Sequence, residues 1–209
     1  MLATVRVQVA HDLGDLQDLA ALDLVLVVLE PLVVEERISK YGWCAGPGSV
    51  RSLSTKNGLS VLEAAEADIV LIHDGSRCLL TPDLIERTVA AARGGAEGVI
   101  PALPVTDTIK EVEGGAVRRT LDRSNLWAVQ TPQAFRYGAL RRAFSRSEED
   151  LRSATDDASL IESLGGRVEI VEGERTNIKL TSPDDLIFAE AIVNSRARTS
   201  RERTLRERT

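Results

Sequence analysis

The chain has 209 residues, 43% of them apolar and 28% charged, with a formal net charge of −6. That length suits one α/β domain with a sizeable core, the composition is that of a globular chain, and the acid excess argues against broad nucleic-acid binding. Aromatic residues make up only 3%, too few for base-stacking platforms. The sequence contains no apolar run long enough to span a membrane and no signal-peptide pattern. Its two cysteines, Cys44 and Cys78, lack metal-ligand spacing and read as free thiols in a reducing cytosol. The expectation is a cytoplasmic protein without a membrane or nucleic-acid partner.

Thr4 to Val9 alternates apolar and polar residues, the pattern of a half-buried strand. Leu13, Leu16, Leu19 and Leu22 recur at helical spacing. Leu24 to Leu29 reads as a buried strand stopped by Glu30-Pro31, Leu32 to Tyr41 as a short helix, and Gly42 to Gly48 as a loop. Ser52 to Ala65 can be helical. Asp68 to His73 carries four consecutive apolar residues, as a strand buried on both faces does. Thr81-Pro82-Asp83 opens a helix with Thr81 as N-cap and Pro82 at its first position, and Gly94-Gly95 ends it.

Glu97 to Ala102 is the next strand. Thr108 to Glu113 and Ala116 to Leu121 flank Gly114-Gly115 and predict a β-hairpin, an arm of the kind that packs on another subunit. Leu126 to Gln130 reads as a strand, and Phe135 to Ser145 and Asp156 to Leu164 as helices, the second capped by Thr155. Arg167 to Val171 and a short Asn177 to Leu180 are strands, and Ser182-Pro183 opens a last helix to about Val193. Six arginines between Ser195 and Thr209 predict a charged, disordered tail. The expected organisation is one domain over 1–194, an arm over about 104–135 and a tail over 195–209. Strands alternating with helices predict a three-layer α/β fold with a mainly parallel sheet.

Chemistry gathers after the strands. Asp74 and Arg77 follow the strand ending at His73, where open α/β sheets bind ligands. One carboxylate and one guanidinium there fit a metal–phosphate site, and equally a structural ion pair. Thr106 to Lys110, Asp122-Arg123, Thr155-Asp156-Asp157 and Lys179-Leu180-Thr181 add further polar groups. Phosphoryl chemistry needs positioning and charge neutralisation, which a metal ion, Arg and Lys supply. Neither His11 nor His73 stands in a recognisable triad context. Asp122 and Arg123 read as a pair fixing the hairpin, and Trp127 and Phe135 as core.

Five stretches resemble the 2-C-methyl-D-erythritol 4-phosphate cytidylyltransferase family: His73 to Arg77, Pro104 to Lys110, Thr120 to Phe135, Thr155 to Ala158, and Asn177 to Leu186. The resemblance spans Gly46 to about Val193. It implies a Rossmann-like three-layer nucleotidyltransferase fold, a homodimer formed through the arm, Mg²⁺ as cofactor, and CTP and a sugar-alcohol phosphate as substrates. The substrate phosphate would attack the α-phosphorus of CTP and pyrophosphate would leave. By the same resemblance Asp74 is the metal and nucleotide position, and Gly48, Arg51, Ser54 and Asn57-Gly58 form the cytosine-side loop, with Ser54 as the base contact. Arg77, Lys179 and Arg136 face the sugar phosphate, Thr120 reaches from the arm into the partner's site, and Thr106 and Thr155 line the pocket. A ribitol 5-phosphate or other sugar-phosphate cytidylyltransferase, and an inactive homologue acting as a binding or dimerisation partner, are alternative readings.

The resemblance breaks near the start. The family's first strand leads into a glycine-rich loop with an arginine and a Pro-Lys pair, which wraps the triphosphate. Here Val9-Ala10-His11-Asp12-Leu13-Gly14 follows the first strand, with neither. Cys78 stands where the family has proline, and Gly75-Ser76 where it has Ala-Ala. The chain then reads as a fragment whose start lies upstream, or as a member without the loop. Single-donor losses cost about 3 kcal/mol of transition-state stabilisation, so this chain is expected to bind CTP weakly and turn over slowly.

Overall fold

The computed structural model describes residues 49–206 except positions 63, 65 and 67, together with β1 (Val27–Val28) and β2 (Trp43–Cys44), which pair in parallel. The strand expected at 4–9, the helices expected at 12–22 and 32–41, and Gly48 lie outside the described residues.

The remaining elements run in order: α1 (Arg51–Ser60), β3 (Ile69–Ile72), α2 (Pro82–Arg93), β4 (Gly98–Pro104), β5 (Lys110–Glu113) and β6 (Ala116–Thr120). They continue with β7 (Trp127–Val129), β8 (Gln133–Arg136), α3 (Tyr137–Phe144), α4 (Glu148–Ser153), α5 (Asp157–Glu162), β9 (Val168–Glu172) and α6 (Pro183–Arg206). The central sheet has the order β3-β8-β4-β7, with β9 also on β4. β4 and β9 pair in parallel, while β8 is antiparallel to both β3 and β4, so β3, β4 and β9 all point the same way. The two opposed strands, β7 and β8, follow the arm and carry the chain back into the sheet.

Alternation within each strand builds the layers. Val70 and Ile72 of β3, with Ile100 and Phe135, pack against α1, α3, α4 and α5 through Leu53, Leu140, Phe144, Leu151, Leu160 and Ile161. Leu71, Val99 and Ala134 face the other way, against Ile85, Val89 and Ala92 of α2. Close approach at the sheet uses Gly98, where an added Cβ would lie 2.9 Å from Phe135 Cδ1.

Local signals were strongest where caps and turns are explicit. The Thr81 hydroxyl accepts from the Leu84 N–H at 3.2 Å and Pro82 opens α2, as its sequence demands. The arm pairs β5 with β6 around Gly114 (φ 58°) and Gly115 (φ 82°), two left-handed residues of the primed hairpin turn.

Several expectations need correction. Phe135-Arg136 is strand, since the segment pairs with both β3 and β4 before α3 begins. Asp156, not Thr155, caps α5, its carboxylate accepting from the Ser159 N–H at 2.9 Å. Asn177 to Leu180 is loop, held to the β3 turn by the Leu180 N–H donating to Ser76 O at 2.8 Å. Helix α4 was not foreseen; its cap, Ser147, accepts from the Asp150 N–H. Trp127 is 42% exposed, whereas Phe135 is fully buried. Asp122 caps the Ser124 N–H while Arg123 donates to Thr106 O, so the two fix the arm's base separately and not as a pair. Helix α6 runs on to Arg206, through most of the stretch read as a tail, because its arginines and glutamates are helix formers with no Gly or Pro to stop them.

Candidate active site

The sheet's ligand end is where β3 stops. Its apolar run ends at Ile72, and His73, Asp74 and Arg77 form the turn that follows. Three other segments meet this turn: the first residue of α1, Arg51; the β7–β8 link with Gln130 and Thr131; and the loop after β9 with Asn177 and Lys179. They enclose a cavity of about 430 Å³ lined by Arg51, Asp74, Arg77, Thr155 and Lys179 among others.

Asp74 is the centre of charge. Its Oδ1 accepts from Arg51 Nε at 3.0 Å, and its Oδ2 lies 3.1 Å from Lys179 Nζ and 3.8 Å from Arg77 Nε. Burial pushes the Asp74 carboxyl up, but Arg51 and Lys179 outweigh it and hold the group below the usual carboxylate range. Arg51 also donates from Nη1 to Asp157 Oδ2 at 2.6 Å, and Asp157 is wholly buried at the first position of α5. Burial raises the Asp157 carboxyl, and the Arg51 charge opposes that rise.

Arg77 is aimed by backbone. Its Nη1 donates to Asn177 O at 2.8 Å and its Nη2 to Val129 O at 3.3 Å, while its buried Nε has no hydrogen-bond acceptor among the described residues. Asn177, fully buried, donates from Nδ2 to Thr131 O at 2.8 Å and so fastens the Lys179 loop to the β7–β8 link. Buried His73 is pushed down to about 4, chiefly by desolvation, and is neutral at physiological pH.

Asp74, Arg77, Thr155 and Lys179 thus meet in one cavity. Ser54, Thr106, Thr120 and Arg136 do not line it. Ser54 is buried in α1, where its Oγ lies 3.3 Å from Val50 O. Thr106 and Thr120 are exposed on the arm, and the Thr120 hydroxyl accepts from Lys110 Nζ at 2.6 Å. Arg136 pairs with Ile69, at the end of β3 away from the cavity, because its segment is strand and runs outward from Gln133. Arg51, expected with Ser54 on the cytosine side, is instead committed to Asp74 and Asp157. Asp157 and Asn177 had no individual role in the sequence; the paired acids of Thr155-Asp156-Asp157 held the signal, one capping α5 and the other buried on Arg51.

Among the described residues no three His, Cys, Asp or Glu side chains gather to hold a metal. Asp74 alone fits Mg²⁺ in the way Mg²⁺ commonly binds, through one or two carboxylates, waters and substrate phosphates. Its carboxylate has acceptor capacity beyond the Arg51 and Lys179 contacts.

The profile of the IspD family, 2-C-methyl-D-erythritol 4-phosphate cytidylyltransferase, matches residues 9–195. The chain belongs to this family. A protein of Rubrobacter xylanophilus with that name is 61% identical over 161 residues, 77% of this chain and 70% of the relative. One of Syntrophotalea carbinolica with the same name is 50% identical over 171 residues, 79% of this chain and 72% of the relative. A crystal structure of 4-diphosphocytidyl-2C-methyl-D-erythritol synthase superposes with a TM-score of 0.72 at 36% identity, covering 81% of each chain. Family and fold are therefore those of a nucleotidyltransferase enzyme, and no helix among the described residues is long and apolar enough to cross a membrane.

Proposed function

We propose that this chain transfers the cytidylyl group of CTP to 2-C-methyl-D-erythritol 4-phosphate, giving 4-diphosphocytidyl-2-C-methyl-D-erythritol and pyrophosphate. The observation that carries the reading is the convergence of Arg77 and Lys179 on Asp74 in a cavity at the sheet's ligand end. Two cations a few ångströms apart suit a phosphate monoester, which spreads charge over three oxygens. When the sugar phosphate enters, Lys179 and Arg77 exchange their contact with Asp74 for the phosphate, and hold its oxygen for in-line attack on the α-phosphorus. Arg51 stays on Asp74, so the carboxylate keeps its place when the other two cations leave. Bound Mg²⁺ supplies charge neutralisation on the triphosphate, with Asp74 as its protein ligand. Thr155 lines the cavity wall; Gly48 and Ser54 belong to the cytosine side, and Thr106 to the arm's base.

A homodimer through the arm fits this reading. Val112 and Val117 are 57% and 60% exposed on the hairpin, apolar positions that a second subunit would cover, with Thr120 on the same strand. A cytoplasmic location goes with a pathway enzyme on soluble substrates.

Pyrophosphate release tests the proposal. It should require both CTP and methylerythritol phosphate, exceed release with ribitol 5-phosphate, and fall about a hundredfold in Lys179→Ala, the loss of one charge-stabilising donor. Preference for ribitol 5-phosphate would replace the acceptor. No release from a folded protein that binds neither substrate would overturn the enzymatic reading.

A further inference from the structure

His73 is 2% exposed, lines no part of the cavity, and uses both ring nitrogens. Nε2 is 2.9 Å from Arg77 O, and Nδ1 is 2.9 Å from Thr131 Oγ1. A carbonyl oxygen only accepts, so Nε2 carries the proton. Nδ1 of the neutral ring then accepts, and the Thr131 hydroxyl donates to it. The same hydroxyl oxygen accepts from the Asp74 N–H at 2.9 Å. The bonds therefore run from the Asp74 backbone through Thr131 and His73 to the Arg77 carbonyl. They close on themselves because the Arg77 N–H donates to Asp74 O at 2.9 Å.

We propose that His73 and Thr131 are positioning residues for the transfer reaction, forming a bracket that fixes the 74–77 turn so that the Asp74 carboxylate and the Arg77 guanidinium enter the cavity together. The proposal rests on the function given above. Geometry argues for a bracket over a proton carrier: both nitrogens are occupied by groups of the fold, and neither faces the cavity. Direction matters as well. Every member uses its one available role, so an Nδ1–H ring or an imidazolium leaves a donor facing a donor. Thr131 is 4% exposed and its carbonyl accepts from Asn177 Nδ2 at 2.8 Å, so it is held by a second segment as well as by the turn it grips.

The test uses the full chain and three variants. Long-range ¹H–¹⁵N spectra of the parent at pH 7 should show the His73 ring neutral with its proton on Nε2. Thr131→Val removes the hydroxyl at nearly equal volume, and Thr131→Ser restores it. In Thr131→Val the Asp74 amide should exchange with solvent about tenfold faster, the effect of one lost hydrogen bond. The affinity for methylerythritol phosphate in the presence of CTP and Mg²⁺ should fall by a similar factor, while Thr131→Ser stays near the parent. Thr131→Ala removes the same hydroxyl and supplies the comparison should Thr131→Val fail to fold. An Nδ1–H ring, an imidazolium, or unchanged Asp74 exchange and ligand affinity in folded Thr131→Val would overturn the bracket. Should the parent bind neither substrate while the ring and exchange results hold, the bracket stands as a feature of the turn and the function assigned to that turn is what fails.

Discussion

Acid should reveal the buried histidine. His73 has an ordinary value of 6.5 and is pushed down to about 4 by burial, with the carbonyl of Arg77 and the charge of Asp74 opposing the fall. The folded state therefore binds fewer protons than the unfolded state between these two values, so stability rises with pH across that window. The His73 contribution is complete above about 6.5, is lost progressively as the pH falls toward 4, and changes no further below it. The difference of about 2.5 units corresponds to about 3 kcal/mol, a large share of the 5–15 kcal/mol typical of a domain. Urea denaturation of the parent and of His73→Gln at half-unit steps from pH 4 to 7.5 isolates it, because glutamine does not titrate and every other group is common to both. The parent curve should steepen by up to about 1.4 kcal/mol per pH unit relative to the variant near the middle of the window. Parallel curves from pH 4 to 6.5 would refute the buried neutral ring, and so would a parent that gains stability on acidification.

Three other perturbations read different parts of the molecule. Arg51→Met leaves the wholly buried Asp157 without its partner and should cost about 3–5 kcal/mol at pH 7, and less as the pH falls, because burial raises that carboxyl and favours its neutral form; urea midpoints at pH 7 and pH 4 measure both. Gly98→Ala brings a Cβ to 2.9 Å from Phe135 Cδ1 and 3.3 Å from Val168 Cγ2, overpacking that should lower stability by about 1–3 kcal/mol in thermal unfolding. Mg²⁺ alone should show no Asp74-dependent binding, because three cations already surround that carboxylate. Calorimetric titrations of the parent and Asp74→Asn should coincide without CTP and diverge with it.

What the sequence revealed follows the range of the interaction. Thr81-Pro82 and Gly114-Gly115 act within a few residues, so the start of α2 and the turn of the arm were legible from composition alone. The strand ending at Ile72 was legible because its apolar run is continuous, and Asp74 and Arg77 because they follow it. Strand β8 was not, since Gln133 to Arg136 has no strand alternation; pairing with β3 on one side and β4 on the other forms it. That pairing also takes Arg136 away from the cavity, a consequence no local pattern carries. The Lys179 loop misread as a strand has the same origin: Leu180 makes one backbone bond to Ser76, and Asn177 fastens the rest.

The least legible part is the one on which the site depends most. Arg51 and Asp157 are 106 residues apart, and neither sits in a local pattern that names the other. A buried carboxylate without a partner is too costly to keep charged, so Asp157 implies a cation, and only the meeting of the start of α1 with the start of α5 and the β3 turn identifies it as Arg51. That arrangement divides the cations of the site by function. Arg51 is committed on both sides, to Asp74 and Asp157, and has no freedom to follow a ligand. Lys179 is 45% exposed and, among the described residues, has only Asp74 as an ionic partner. Arg77 lies between them, its two terminal nitrogens on backbone carbonyls and its Nε still without a hydrogen-bond acceptor among those residues. On the proposed function, a phosphate approaching Asp74 meets one cation that must stay, Arg51, and one that is free to turn toward it, Lys179, which is why loss of Arg51 should show first in stability and loss of Lys179 first in transfer.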